Sequence, residues 1–124
     1  MKNKQPFNPF KAFLGAIVPN CIMRSDKLTH LSKLCLARLF QFAGEDGVCY
    51  PSNEVLCSEL ATSIRQLQRT LKQLRELELI KIIKPKGKDR KKHKSCIYVF
   101  LWNKEIYEAD VSIKNGLLEE DYGL

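Results

Sequence analysis

Between residues 29 and 77 apolar side chains recur at three- and four-residue intervals, whereas after residue 79 they run together in blocks of Ile, Val and aromatic residues. The first pattern belongs to helices with a buried face, the second to strands. Leu31, Leu34, Cys35, Leu39 and Phe42 form one apolar face of a helix predicted from Thr29 to Ala43, with Thr29 as N-cap and Gly44 as the stop. Leu36 and Phe40 extend apolarity to a second face, which an N-terminal arm or a second copy of the chain could cover. Tyr50-Pro51-Ser52 opens a short helix capped by Ser52, with Val55, Leu56 and Leu60 inward and an end near Ala61. Thr62 and Ser63 make the next turn. Ser63 and Gln66 stand in the S-x-x-Q spacing of a capping box, which predicts a helix over 64–77 with a buried stripe of Ile64, Leu67, Leu71 and Leu74.

Leu79–Lys84 and Cys96–Trp102 read as strands of a hairpin, and Pro85 and Gly87 mark where its ladder stops. The chain therefore divides into an N-terminal arm over 1–27, expected to pack on the core, a domain over 28–103, and an acidic C-terminal tail over 104–124. The arm is punctuated by Pro6, Pro9 and Pro19 and carries Phe7, Phe10, Phe13, Leu14, Ile17, Val18 and Ile22. In the tail a short helix is predicted around Glu105–Val111. Glu45 and Asp46, in the turn Gly44–Gly47, lack the spaced ligand set of a calcium loop and read as solvated turn residues.

Charge changes the picture. The window Lys81–Ser95 holds seven Lys and one Arg against a single Asp, so its +7 equals the net charge of the whole chain. Residues 103–124, by contrast, hold two Lys against six Asp and Glu. Such a concentrated cluster, in the loop between two strands, matches a polyanion with one negative charge per roughly 1.7 Å of duplex. No apolar run approaches the roughly 20 residues of a spanning helix, and no export signal is legible, so a cytoplasmic protein with no membrane partner is expected. The five Cys, at 21, 35, 49, 57 and 96, include no C-x-x-C pair and share no ligand spacing with His30 or His93, so free thiols and no metal are expected.

At about 100° per residue, the face of the 64–77 helix opposite its buried stripe carries Arg65, Gln66, Arg69, Lys72, Gln73 and Glu76, with Gln68 on the flank. Arg matches the two acceptors of guanine and Gln can pair bidentately with adenine, so Arg65, Gln66 and Arg69 stand nearest where base edges would lie. Thr62 and Ser63, at the helix N-terminus, suit a phosphate. Lys84, Lys86, Lys88, Arg90, Lys91, Lys92 and Lys94 of the loop suit the flanking backbone.

The stretch PSNEVLCSELATSIRQLQRTLKQLRELELIKI, followed by KSCIYVFLW, resembles the winged helix-turn-helix domains of bacterial, phage and plasmid replication and regulatory proteins. The resemblance covers residues 17–103. It implies a mainly α fold with a small β-hairpin, namely a three-helix core plus a two-stranded antiparallel wing. It also places Ser63, Arg65, Gln66 and Arg69 where that family has DNA-facing residues. The chain departs from the pattern at Glu78, where a Gly is frequent, and at Cys57, where Ala is usual; Glu78 is strained if its position requires a positive φ.

Enzymatic readings fail for lack of parts: no phosphate-cradling G-x-x-x-x-G-K-[ST], no nucleophile elbow and no H-E-x-x-H is present. The expectation is a non-enzyme without cofactors whose partner is double-stranded DNA, acting as a small transcriptional regulator or repressor of a mobile element. One alternative is a replication initiation or accessory protein of a phage or plasmid, with the acidic tail recruiting a protein partner. Another is an interaction or inhibitor protein using the winged helix to bind an acidic protein or structured RNA. Two-fold DNA sites would call for a homodimer.

Overall fold

The computed structural model describes residues 4–84 and 96–108. In chain order it contains α1 (Pro9–Ala12), α2 (Asn20–Arg24), α3 (His30–Ala43), a 3-10 turn (Gly44–Asp46), β1 (Val48–Cys49), α4 (Asn53–Leu60), α5 (Ile64–Glu76), β2 (Ile80–Ile83) and β3 (Ile97–Phe100). A helical turn over 104–108 follows. The caps read from the sequence are in place. Thr29 Oγ1 accepts from Ser32 N at 3.2 Å, Ser52 Oγ from Val55 N at 3.1 Å and Ser63 Oγ from Gln66 N at 3.2 Å.

The predicted hairpin is one part of a three-stranded antiparallel sheet of order β1-β3-β2. β2 and β3 pair from Ile80↔Phe100 to Ile83↔Ile97, and β1 adds Val48↔Val99 and Cys49↔Tyr98 on the other edge of β3. A two-residue strand has too little periodicity to be read from sequence. What delivers it to the sheet is the left-handed backbone of Gly44 (φ 54°) and Gly47 (φ 73°), which residues with a Cβ rarely adopt. The result is the winged helix-turn-helix architecture, mostly helical with a small sheet.

The core joins Cys35, Leu36 and Leu39 of α3, Leu56 of α4, Leu67, Leu71 and Leu74 of α5, and Leu79, Ile80, Tyr98 and Ile106 beyond the helices. Each fully buried Leu contributes about 1.5–3 kcal/mol of transfer free energy. The buried face of α3 is rotated from the predicted one, because α3 packs against α4, α5 and β1 at once. Ser32, Cys35, Leu36, Ala37, Leu39 and Ala43 are buried, whereas Leu34 and Phe42 face outward. Of the second apolar face, Leu36 shares the core with Ile22 of the arm, and Val18, Cys21 and Phe40 pack against that cluster. Leu36 lies in the core, and the Phe40 ring meets Phe100 of β3 edge-on at 4.9 Å.

The expected arm divides in two. Val18, Cys21 and Ile22 join the core, but Phe10, Phe13, Leu14 and Ile17 are exposed. At the other end, Asn103 ties the helical turn over 104–108 to α5: its Nδ2 donates to Leu77 O and its Oδ1 accepts from Ile106 N, each at 2.9 Å.

Both helices of the α4–α5 unit end on left-handed residues other than glycine. Ala61 (φ 50°) ends α4, with Thr62 N donating to Cys57 O at 3.0 Å. Glu78 (φ 56°) ends α5, with Leu79 N donating to Leu74 O and Glu78 N to Arg75 O, both at 3.0 Å. These are the hydrogen bonds of a Schellman stop, so the glycine-like position inferred at Glu78 is real.

Candidate nucleic-acid interface

α5 is anchored by Leu67, Thr70, Leu71 and Leu74. Ile64, expected in that stripe, is half exposed, because the first turn of α5 stands clear of the core. Thr70 takes its place: its Oγ1 donates to Gln66 O at 2.8 Å, which satisfies the hydroxyl inside the helix's own backbone. With that face down, Arg65, Gln66, Gln68, Arg69 and Lys72 are exposed. Lys72 Nζ lies 3.9 Å from Glu76 Oε1 one turn on, an exposed pair of small energetic value. Among the described residues neither Arg65 nor Arg69 has an ion-pair partner, so both guanidinium forks are open to an external acceptor.

Gln73 departs from the expectation. It is half-buried, and its Oε1 accepts from Ser32 Oγ and, at 3.4 Å, from both Thr29 N and Thr29 Oγ1. Its carbonyl is thus occupied in joining α5 to the N-terminal cap of α3, and Gln73 positions the helix rather than presenting itself on the outer face. It also explains how Ser32, fully buried, is tolerated in the core. The wheel on α5 failed to separate Gln66 from Gln73, which share a flank, because only the tertiary arrangement brings α3 against one of them.

That flank borders an open groove of about 610 Å³ lined by Thr62, Gln66, Arg69 and Gln73, together with Thr29 and Ser32 of the α3 cap and Leu60–Ala61 of the turn. Four predicted site residues are therefore gathered around one cleft, and Thr29 and Ser32 are additions. Their signal in the sequence was a helix cap, which carries no hint of what lies across from it. Ser63 stands exposed at the N-terminus of α5, its hydroxyl oxygen engaged in the cap; Arg65, Gln68 and Lys72 stand outside the groove on the outer ridge.

Lys84 is exposed just past β2. Lys86, Lys88, Arg90, Lys91, Lys92 and Lys94 lie outside the described residues. The last pair of the β2–β3 ladder is Ile83↔Ile97, directly before Lys84.

The thiols are free in the structure. Burial, and to a lesser degree the neighbouring Cys49, push the Cys35 thiol up to about 12, and burial pushes Cys49 up to about 11. Burial, with Cys96, Cys35 and Cys49 nearby, also raises the Tyr98 hydroxyl. These groups are neutral core members under ordinary conditions. Among the described residues no three His, Cys, Asp or Glu side chains gather as a metal site, and no helix is long and apolar enough to cross a membrane.

A capped short helix, a left-handed turn, a second helix with a free basic face and an antiparallel sheet behind it define a winged helix-turn-helix protein. Residues 26–80, a little under half of the chain, match a family model described as a helix-turn-helix domain. Two solved structures share the fold almost end to end. One is a Rep–DNA complex, at 23% identity and a TM-score of 0.56, covering 94% of this chain and 97% of that one. The other is the N-terminal domain of a DNA-binding protein, at 21% identity and a TM-score of 0.58, covering 96% and 98%. No curated protein matches the chain.

Proposed function

We propose that this protein binds double-stranded DNA in a sequence-dependent way, with α5 in the major groove and the basic segment between β2 and β3 on the flanking backbone, and that it acts as a transcriptional regulator of a mobile element. The observation that carries this reading is the pair of guanidinium groups, Arg65 and Arg69, without ion-pair partners among the described residues, on the outer face of a helix held from behind by Leu67, Leu71, Leu74 and Gln73. A major groove about 12 Å wide admits such a helix. Arg65, Gln66 and Arg69 read bases. Thr62, Ser63 and the lysines of the charged segment contact phosphates.

A second reading is a role in replication. It is favoured by the near-complete overlap with the Rep–DNA complex, whose chain is matched over 97% of its length.

Fluorescence anisotropy tests the binding itself, using random duplex and duplex from the region upstream of the protein's own coding sequence, each at two salt concentrations. Tighter binding to its own region is the expected result, with a salt slope of about 0.9 per phosphate contact on both duplexes. Equal affinity for every duplex would remove sequence readout, and no binding to either would overturn the proposal. Stronger binding to repeats from a replication origin than to the upstream duplex would favour the second reading.

A further inference from the structure

The surface that the fold leaves least explained is the arm. Leu14 is fully exposed, Phe10 is 92% and Ile17 82% exposed, and Phe13 and Phe7 are largely in solvent. Phe7 and Phe13 touch each other edge-on at 5.5 Å, so they cluster without reaching the core. From Phe13 to Val18 the chain is neither helix nor paired strand, and no backbone hydrogen bond ties Leu14–Val18 to the described residues. An extended apolar segment with open backbone groups is a template for pairing.

Beside it lies an apolar groove of about 280 Å³, walled by Ala16 and Val18 of the arm, Leu34 and Ala37 of α3 and Leu60–Ala61 of α4, with Arg38 and Glu59 at its edge. Leu34 is a large aliphatic side chain on α3 that faces outward, and this groove accounts for it. The arm's own Ala16 and Val18 therefore form one wall of this groove.

We infer that this surface is a homodimer interface, in which the arm of one copy lies along the groove of the other and the exchange is reciprocal. Three observations select a second copy as the occupant. With each aromatic ring covering roughly 150–250 Å², the five exposed arm residues offer roughly 700 Å² of apolar surface, close to the ~800 Å² per partner of a standard stable interface. A monomer rarely keeps so large an apolar patch open. Between Gln5 and Asn20 the only charged residue is Lys11, so two such arms meet across a two-fold axis with little repulsion. Finally, the arm and the groove that receives it are on the same chain, as a closed two-fold exchange requires. The inference stands whatever α5 binds.

The test is oligomeric state by sedimentation equilibrium on the full chain, with thermal unfolding as the control for folding. The unmodified protein is expected at twice the monomer mass at micromolar concentration. Leu14→Glu/Ile17→Glu, at positions outside the core, is expected to weaken dimerisation by at least about 100-fold, as loss of two central apolar anchors does. Leu34→Glu, on the groove side, is expected to do the same. A monomeric unmodified protein would overturn the inference, as would a dimer that survives Leu14→Glu/Ile17→Glu. A dimer split by the arm variant but not by Leu34→Glu would overturn the docking into the groove. A monomer that loses thermal stability on Leu14→Glu/Ile17→Glu would assign the arm to an intramolecular neighbour instead.

Discussion

α3 and α5 are nearly the same length and both start on a hydroxyl cap, yet the fold treats them oppositely. α3 touches α4, α5 and β1, and six of its residues are buried, including a serine. α5 buries four residues along one stripe and leaves Arg65, Gln68, Arg69 and Lys72 in solvent. One helix is scaffold on several sides; the other is held from behind and free in front. Function on this fold follows from that asymmetry: a side chain committed to packing cannot also reach a ligand, and α5 is the long helix with a whole face uncommitted.

The largest expected effect separates the two. Leu39→Ala in α3 removes a fully buried side chain and should cost about 2–5 kcal/mol of stability by chemical denaturation. Its effect on DNA affinity, measured where the variant is folded, should be small. Arg69→Ala in α5 is the mirror image: stability unchanged within about 0.5 kcal/mol, and a loss of about 1–3 kcal/mol against the preferred duplex alone. If Arg69→Ala weakened all duplexes equally, the free face of α5 would be an electrostatic surface rather than a reader.

Gln73 is where the two helices meet, so its replacement sharpens the comparison. Gln73→Ala leaves Ser32 without its partner across the helix pair and should destabilise by about 1–3 kcal/mol. Gln66→Ala on the same flank, exposed and without that contact, should leave the melting temperature nearly unchanged. Equal stability losses from both would show that Gln73 does not anchor α5.

Raising the pH probes the core where α3 meets β1. Cys35 and Cys49 have folded-state values near 12 and 11, against 9.0 for an unperturbed thiol, so the unfolded chain releases their protons first. Their contribution to stability is complete below about pH 9 and is lost as pH climbs through 11 to 12. Unfolding curves measured from neutral to alkaline pH should show that decline. Cys35→Ala/Cys49→Ala should flatten it, and an unchanged slope would assign the loss to other groups.

The smallest effect lies at the exit of α5. Glu78 sits at φ 56°, so Glu78→Gly should stabilise by about 1 kcal/mol, the usual cost of a side chain in the left-handed region. The same change at a helical position, such as Glu76→Gly, should destabilise by about 0.5–1 kcal/mol.

Much of this molecule was legible from its residues. Helix starts at Thr29, Ser52 and Ser63, the stop at Gly44, the strands on either side of the charged segment and the left-handed demand at Glu78 are all local: each depends on a few neighbours and on backbone hydrogen bonds within one turn. The outward set Arg65, Gln66, Gln68, Arg69 and Lys72 was legible too, because helical periodicity alone assigns sides once a leucine stripe is known. What periodicity cannot supply is the number of neighbours a helix will have. That is why the buried face of α3 was rotated, why Phe40 found Phe100, why Ile64 stayed outside and why Gln73 sits half-buried against the α3 cap. Those outcomes were decided by contacts between residues far apart in sequence, where packing density and the need to satisfy buried hydroxyls select among faces that the chain leaves equivalent.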